Sequence, residues 1–372
     1  MMVDLNLPKR VLMGPGPSDV YPEVLQAMAR PTIGHLDPAF VQFMDQLNES
    51  LRLAFKTSNR VTLPISAPGS AGMECAFVNL LEPGDKVIIA SNGVFGGRMK
   101  ENAIRCGATP VMVEFEWGTP VDPDVVEDSL KEHPDAVVLA FVHSETSTGV
   151  RSDAKALCAL AQQYGCLNIV DAVTTLGGIE LQVDEWGVDA IYSGTQKCLS
   201  APPGLSPVSF NDAAMEKVQS RTSPVQSWFL DLNLLTGYWG PGAKRAYHHT
   251  APINSLYALG EALNVLHSEG IENSWTRHAR NHEKLRDGLQ AMGLELFVDR
   301  ACRLPQLNAV VVPDGVDEAG VRATLLKEFN LEIGAGLGPM AGKIWRIGLM
   351  GASCTEKHVE LCLRAMKVAL SK

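Results

Sequence analysis

The sequence has no CxxC pair, no uninterrupted apolar stretch long enough to span a bilayer and no surplus of positive charge. Each lack excludes a class. Eight cysteines are scattered too widely for a zinc ribbon or a redox motif, and too thinly for a small disulfide scaffold. Reduced, mostly buried thiols are expected. Without an apolar run of bilayer length, no transmembrane helix is expected. A formal net charge of −10 argues against nucleic acid or an anionic membrane as partner. The opening "MMVDLNLPKRVLMGPGPS" carries no signal-peptide pattern, and the final "LSK" reverses the peroxisomal Ser-Lys-Leu order, so the cytoplasm is the expected compartment. There is no internal repeat and no low-complexity tract.

What is present is a series of apolar runs separated by helical segments. "KVIIAS" (86–91), "TPVMVEF" (109–115), "DAVVLAFVH" (135–143), "LNIVDAV" (167–173), "DAIYSG" (189–194) and "LSPVSF" (205–210) read as strands. Several are continuous rather than alternating, the pattern of strands covered on both faces. "SDAKALCALAQQYG" (152–165) predicts an amphipathic helix between two of them, opened by a Ser-Asp cap and closed by Gly165. The alternation predicts an α/β chain: a mostly parallel central sheet with helices on both faces. After about residue 268 the pattern changes to a long helix ending at Gly293, four short strands and a closing helix, a smaller α+β unit. Residues 1–12 read as an arm, 13–268 as the large domain and 269–372 as the small one.

Two polar residues stand at the carboxyl ends of neighbouring strands: Asp171 after "LNIV", and Lys197 after "DAIYSGTQ". That edge of an open α/β sheet is where ligands bind. A lysine kept from bulk water has its ammonium disfavoured, so its amine becomes a nucleophile able to form a Schiff base. A carboxylate placed to hold a ring nitrogen protonated would turn a bound pyridine aldehyde into an electron sink. Alone, each residue has a plain structural explanation, the lysine at a surface and the aspartate as a turn former.

The segments "SGTQKCLSAPPG", "IVDAVTTLGG", "HSETSTGV" and "MGPGPS" together resemble the class V aminotransferases of fold type I, nearest to the serine–pyruvate/alanine–glyoxylate group. The likeness continues through "VNLLEPGD", "SNGVFGGR", "YHHTAP", "GIENSWTRH" and "WRIGLMG". It implies a pyridoxal 5'-phosphate enzyme in which Lys197 carries the Schiff base and moves the substrate α-proton, and Asp171 pairs with the pyridinium nitrogen. Val173 and Phe95 would face the two sides of the ring, and Thr146 would contact the phenolic oxygen. Phenylalanine replaces a tryptophan usual at 95, keeping the π-face and losing an N–H donor.

The resemblance also implies that Gly69, Ser70 and Ala71 at a helix N-terminus, with Gln196, hold the phosphate. Pro68 departs from a common serine and has no N–H to offer. Tyr247 and Thr250 would reach the phosphate from a partner subunit, giving a homodimer with shared active sites. Arg346 in "IWRIG" suits bidentate capture of an α-carboxylate, with Gly16 of the "GPGPS" loop close to the substrate.

The implied activity moves the amino group of serine or alanine to glyoxylate or pyruvate. Ureidoglycine, 3-hydroxykynurenine and 2-aminoethylphosphonate are alternative donors on the same framework. A cysteine-desulfurase-type lyase is a second class, but it needs a mobile nucleophilic cysteine, and Cys302 in "RACRLP" is a poor candidate. A non-catalytic cofactor-binding protein is a third, disfavoured by the intact lysine, aspartate and arginine. No metal is expected: His248 and His249 are adjacent, and His278 and His282 in "HARNH" lack the following glutamate and read as an exposed helix face. "GAGLGPMAG" leads into a strand rather than a helix, so it is no dinucleotide fingerprint.

Overall fold

The structure is a computed structural model that describes residues 2–240 and 245–371; Met1 of the expected arm and Lys372 of the last unit lie outside them. Seven strands make the central sheet: β1 (Val61–Ile65), β2 (Lys86–Ser91), β3 (Thr109–Glu114), β4 (Ala136–Val142), β5 (Leu167–Asp171), β6 (Ala190–Tyr192) and β7 (Ser206–Phe210). Their spatial order is β1-β7-β6-β5-β4-β2-β3. β3, β2, β4, β5 and β6 run parallel, while β7 is antiparallel to both its neighbours. The continuous apolar runs of β2 and β4 are buried almost throughout, as two helical layers require.

Helix ends decide where the backbone is left open. The helix Ala154–Gln163 sits inside the expected span, with Asp153 accepting from Ala156 N–H at 3.0 Å as its N-cap. Such caps are worth about 1 kcal/mol each. Two helices beside the sheet edge have none of their own. Helix α1 (Gly69–Leu80) starts after Pro68, and α2 (Val94–Arg105) starts after Gly93, neither with a side-chain cap at the N-cap residue. Both open at the carboxyl edge of the sheet.

Two main cores form. The larger gathers buried residues from Phe40 to Leu266 around the sheet, including Phe77, Phe141, Tyr192 and Trp239. The second gathers Leu285 to Ala369 around the strands Leu307–Val311, Gly334–Ala335 and Ile344–Gly348. Met13 packs in this second core, and Val11–Leu12 pairs in parallel with Leu331–Glu332. The chain's start thus packs on the C-terminal unit, where the sequence placed residue 13 with the large one. The helix Ile271–Ala291 is less polar in its surroundings than its sequence suggests. His278 is fully buried and accepts from Gly351 N–H at 3.0 Å, and buried His282 bonds Asn308 at 2.6 Å. These histidines are satisfied interior groups, not an exposed face. Among the described residues, no cluster suits a metal ion, and no helix is long and apolar enough to cross a membrane.

Candidate active site

At the carboxyl edge of the sheet, Asp171 and Lys197 line one cavity of about 150 Å³ with Pro68, Gly69, Ser70, Met73, Phe95, Arg98, Val173, Tyr192 and Gln196. A void of about that size takes a six-membered aromatic ring. Asp171 is the last residue of β5, buried, and its two oxygens accept from Val173 N–H and the Tyr192 hydroxyl, each at 2.9 Å. Burial nevertheless pushes its carboxyl up to about 6, against the lowering effect of those donors and of Lys197 and Arg98. Lys197 donates from Nζ to the carbonyl of Pro15. Burial brings its ammonium down to about 8, and the nearby guanidiniums of Arg346 and Arg98 act in the same direction. A poised amine therefore shares a small, partly apolar space with a carboxylate.

The open start of α1 faces this space. Ala71 N–H is already committed to Pro68 O at 2.7 Å, so of the three expected anion donors only Gly69 and Ser70 have amides free among the described residues. Gln196 also lines the cavity, and its side-chain NH2 is a further donor available to an anion. A side-chain carbon at Gly69 would come to 3.2 Å of Val173, so the backbone here is packed tightly against that side chain. Gly16 has φ of +107°, and a Cβ on it would land on Nζ of Lys197. Glycine is required there twice over, for its conformation and for room.

Arg346 approaches from the C-terminal unit. Its Nε donates to Ala335 O at 2.7 Å and its Nη1 to Thr146 O at 3.0 Å; Nη2 has no partner among the described residues. A planar guanidinium fixed at two corners with the third free is arranged to receive a carboxylate. Thr146 itself is buried, its hydroxyl without a partner among the described residues. Tyr247 and Thr250 are not brought to the cavity: both are exposed, and the Tyr247 ring lies 5.1 Å from His35. Cys302 lines a different cavity, with His143, Arg151 and Trp186.

Three residues of the cavity lining, Tyr192, Met73 and Arg98, and Glu145 behind it are not among the residues the sequence picks out. Tyr192 reads as a core aromatic within a strand, and Met73 as helix filler. Arg98 reads as an exposed helical charge, although its guanidinium lies 4.8 Å from the Phe95 ring centroid. Glu145 stands in the quoted "HSETSTGV", and a charged residue straight after a buried strand was the signal available.

The chain's residues 11–355 match the family model described as aminotransferase class-V. It is 41% identical to an alanine–glyoxylate aminotransferase of Callithrix jacchus, over 100% of this chain and 90% of that protein. It is equally 41% identical to an (S)-ureidoglycine–glyoxylate transaminase of Bacillus subtilis, over 99% of this chain and 92% of that one. The crystal structure of an alanine–glyoxylate aminotransferase from Nostoc sp. superposes with a TM-score of 0.97 at 44% identity, covering 100% of this chain and 97% of the other.

Proposed function

The chain belongs to the class-V aminotransferases and is a pyridoxal 5'-phosphate-dependent transaminase, and from that premise we propose that it moves the amino group of alanine or serine to glyoxylate. The acceptor rests on the relatives, whose names share glyoxylate while differing in the donor. Ureidoglycine is the alternative donor, at equal identity.

The observation that carries the reading is that Lys197 and Asp171 line one ring-sized cavity together with Phe95 and Val173. The residues present fit the cofactor. Gly69 and Ser70, at the uncapped start of α1, and Gln196, whose side-chain NH2 can donate to an anion, line the same cavity as a carboxylate and a desolvated amine. In this proposal Asp171 holds the ring nitrogen, Thr146 the phenolic oxygen, and Gly69, Ser70 and Gln196 the phosphate. Ala71 contributes through its place in the first turn rather than its amide. When bound, the cofactor supplies a carbonyl that condenses with amines and a ring that accepts the electron pair released at the substrate α-carbon.

The protein's own part is binding, orientation and proton movement. Arg346 binds the α-carboxylate through Nη2 and so turns the α-hydrogen toward Lys197. Lys197, its amine favoured by burial, takes and returns that proton at Nζ. The carbonyl of Pro15 and the bare backbone of Gly16 hold Nζ in place between those events. The active unit in this proposal is a homodimer, with Tyr247 and Thr250 completing the phosphate site of a second copy. The large and small domains divide near residue 268. A desulfurase has nothing to favour it here, because Cys302 lies outside the Lys197 cavity.

The test is a single-turnover screen of alanine, serine and ureidoglycine with glyoxylate as acceptor, following loss of the bound cofactor's visible absorbance. The reading expects alanine or serine to convert the cofactor completely and glyoxylate to restore it. Ureidoglycine turning over alone would transfer the assignment to that donor, and no conversion with any amine would end it.

A further inference from the structure

Glu145 is fully buried, outside the lining of the Lys197 cavity, yet it touches two walls of the site. Its Oε2 accepts from Phe95 N–H at 3.2 Å, across 50 residues of sequence. Its Oε1 accepts from Ser147 N–H at 2.9 Å and from the Ser147 hydroxyl at 2.6 Å. That hydroxyl in turn accepts from Val94 N–H at 3.2 Å. The first two amides of α2 are therefore bound by side chains of a distant loop, which supply the cap that Gly93 lacks. A side-chain carbon at Gly93 would come to 2.5 Å of both Glu145 Cγ and Ser147 Oγ, so loop and helix meet with no space to spare. Between the two capping residues, Thr146 gives its carbonyl to Arg346.

We propose that Glu145 is a positioning residue of this active site: its carboxyl, with Ser147, clamps the start of α2 to the Ser144–Thr148 loop and so sets the plane of Phe95 relative to the cavity. The assignment rests on the transaminase reading above. A buried carboxylate is a costly choice for a helix cap, and where other α-helices have a side-chain cap it is Asp37, Asp122, Asp153, Asn211, Asp231 or Thr355, none of them buried. Here one group reaches donors on two separate chain segments, which neither a serine nor an alanine could do. Phe95 is attached directly to one of those donors. Arg98, one turn on, holds its charge over the same ring. Tilting the first turn of α2 would therefore change the ring that the cofactor stacks on without removing any group that contacts the cofactor.

The experiment is a double-mutant cycle on the purified full chain with added pyridoxal 5'-phosphate. Wild type, Glu145→Gln, Phe95→Leu and the double variant are compared. The readouts are the cofactor dissociation constant and the visible circular dichroism per bound cofactor. Glutamine keeps the volume but presents an NH2 to one of the donors. It should weaken cofactor binding on the order of tenfold and shrink the dichroic signal. In the Phe95→Leu background, the same change should have little further effect, because the ring it positions is gone. Unchanged binding and dichroism in Glu145→Gln would overturn the assignment, as would effects that add in full. If Glu145→Gln does not fold, Ser147→Ala removes the hydroxyl between Glu145 and Val94 and goes through the same cycle, where unchanged readouts or full additivity again overturn the assignment. Wild-type protein that took up no cofactor would overturn the functional reading, and this assignment with it.

Discussion

Tyr192 donates its hydroxyl hydrogen to Oδ2 of Asp171 at 2.9 Å, from the strand next in the sheet. Both side chains are buried, and after the Val173 N–H this bond is the next contact that keeps a carboxyl already pushed up to about 6 from rising further. Burial first, and then the Asp171 carboxylate, push the Tyr192 hydroxyl well above its ordinary range, so the phenol stays a donor at every working pH. The pair sets the charge of the group proposed to hold the cofactor's ring nitrogen.

Tyr192→Phe should therefore move the acid limb of the kcat/KM profile upward, by up to about one pH unit. Removing a donor to the ionised form raises that carboxyl, so Asp171 loses its charge at higher pH than in the wild type. Rate measurements between pH 5 and 9 with one amino donor would show the shift. An acid limb that stayed in place would mean that Asp171 does not control it.

Gly16→Ala should slow turnover severely while leaving the fold intact. The added carbon meets the end of the Lys197 side chain, and φ of +107° is outside the range an alanine adopts without strain. The strain is of order 1–2 kcal/mol, small beside the stability of a chain this size. The cheaper response is for the flexible lysine to swing away. Borohydride trapping of cofactor on Lys197 should drop in proportion to activity. Wild-type trapping with wild-type rates would refute the close approach.

The difference between what was legible in sequence and what was not follows from contact distance along the chain. Lys197 and Asp171 stood out because each interrupts an apolar strand pattern, and their meeting follows from the sheet's strand order. The helix 154–163 was legible for the same local reason, its cap being adjacent to it. Glu145 and Tyr192 were not, because their meaning lies in partners 50 and 21 residues away. Ala71 stands near a helix start, where the sequence implies an open amide. The tight first turn instead used it, which only backbone geometry reveals. His278 and His282 lie on a helix whose polar sequence implies exposure, yet both are buried. Burial there is supported by the Gly351 amide and Asn308, both far off in sequence.

Lys197→Met should make the cofactor-free protein more stable at pH 7 even as it abolishes steady turnover. The folded amine has its pKa brought down to about 8 from an ordinary 10.5. Between those values the unfolded chain binds more protons, so wild-type stability rises with pH across that window and the full penalty applies below it. Each unit is about 1.4 kcal/mol, part of which the lysine recovers through its bond to Pro15. A net gain on the order of 1 kcal/mol for methionine at pH 7 is expected, shrinking toward pH 10.5. Urea unfolding of the cofactor-free proteins at pH 7 and pH 10 would measure it. A methionine variant that was less stable at pH 7, or whose advantage grew with pH, would contradict the desolvated amine.

The shared-site dimer gives a test that single variants cannot. Tyr247 and Thr250 are exposed and away from their own chain's cavity, so their proposed work lies in a second copy. Lys197→Ala destroys the site built on its own chain. Tyr247→Ala with Thr250→Ala would damage the site built on the other. In a heterodimer of the two, one site carries both lesions and the other carries none. Unfolding, mixing and refolding equal amounts of the two inactive proteins should then regain activity at about a quarter of the wild-type sites, as random pairing requires. If Tyr247 and Thr250 served their own chain, every site would carry one lesion or the other, and no mixture would recover.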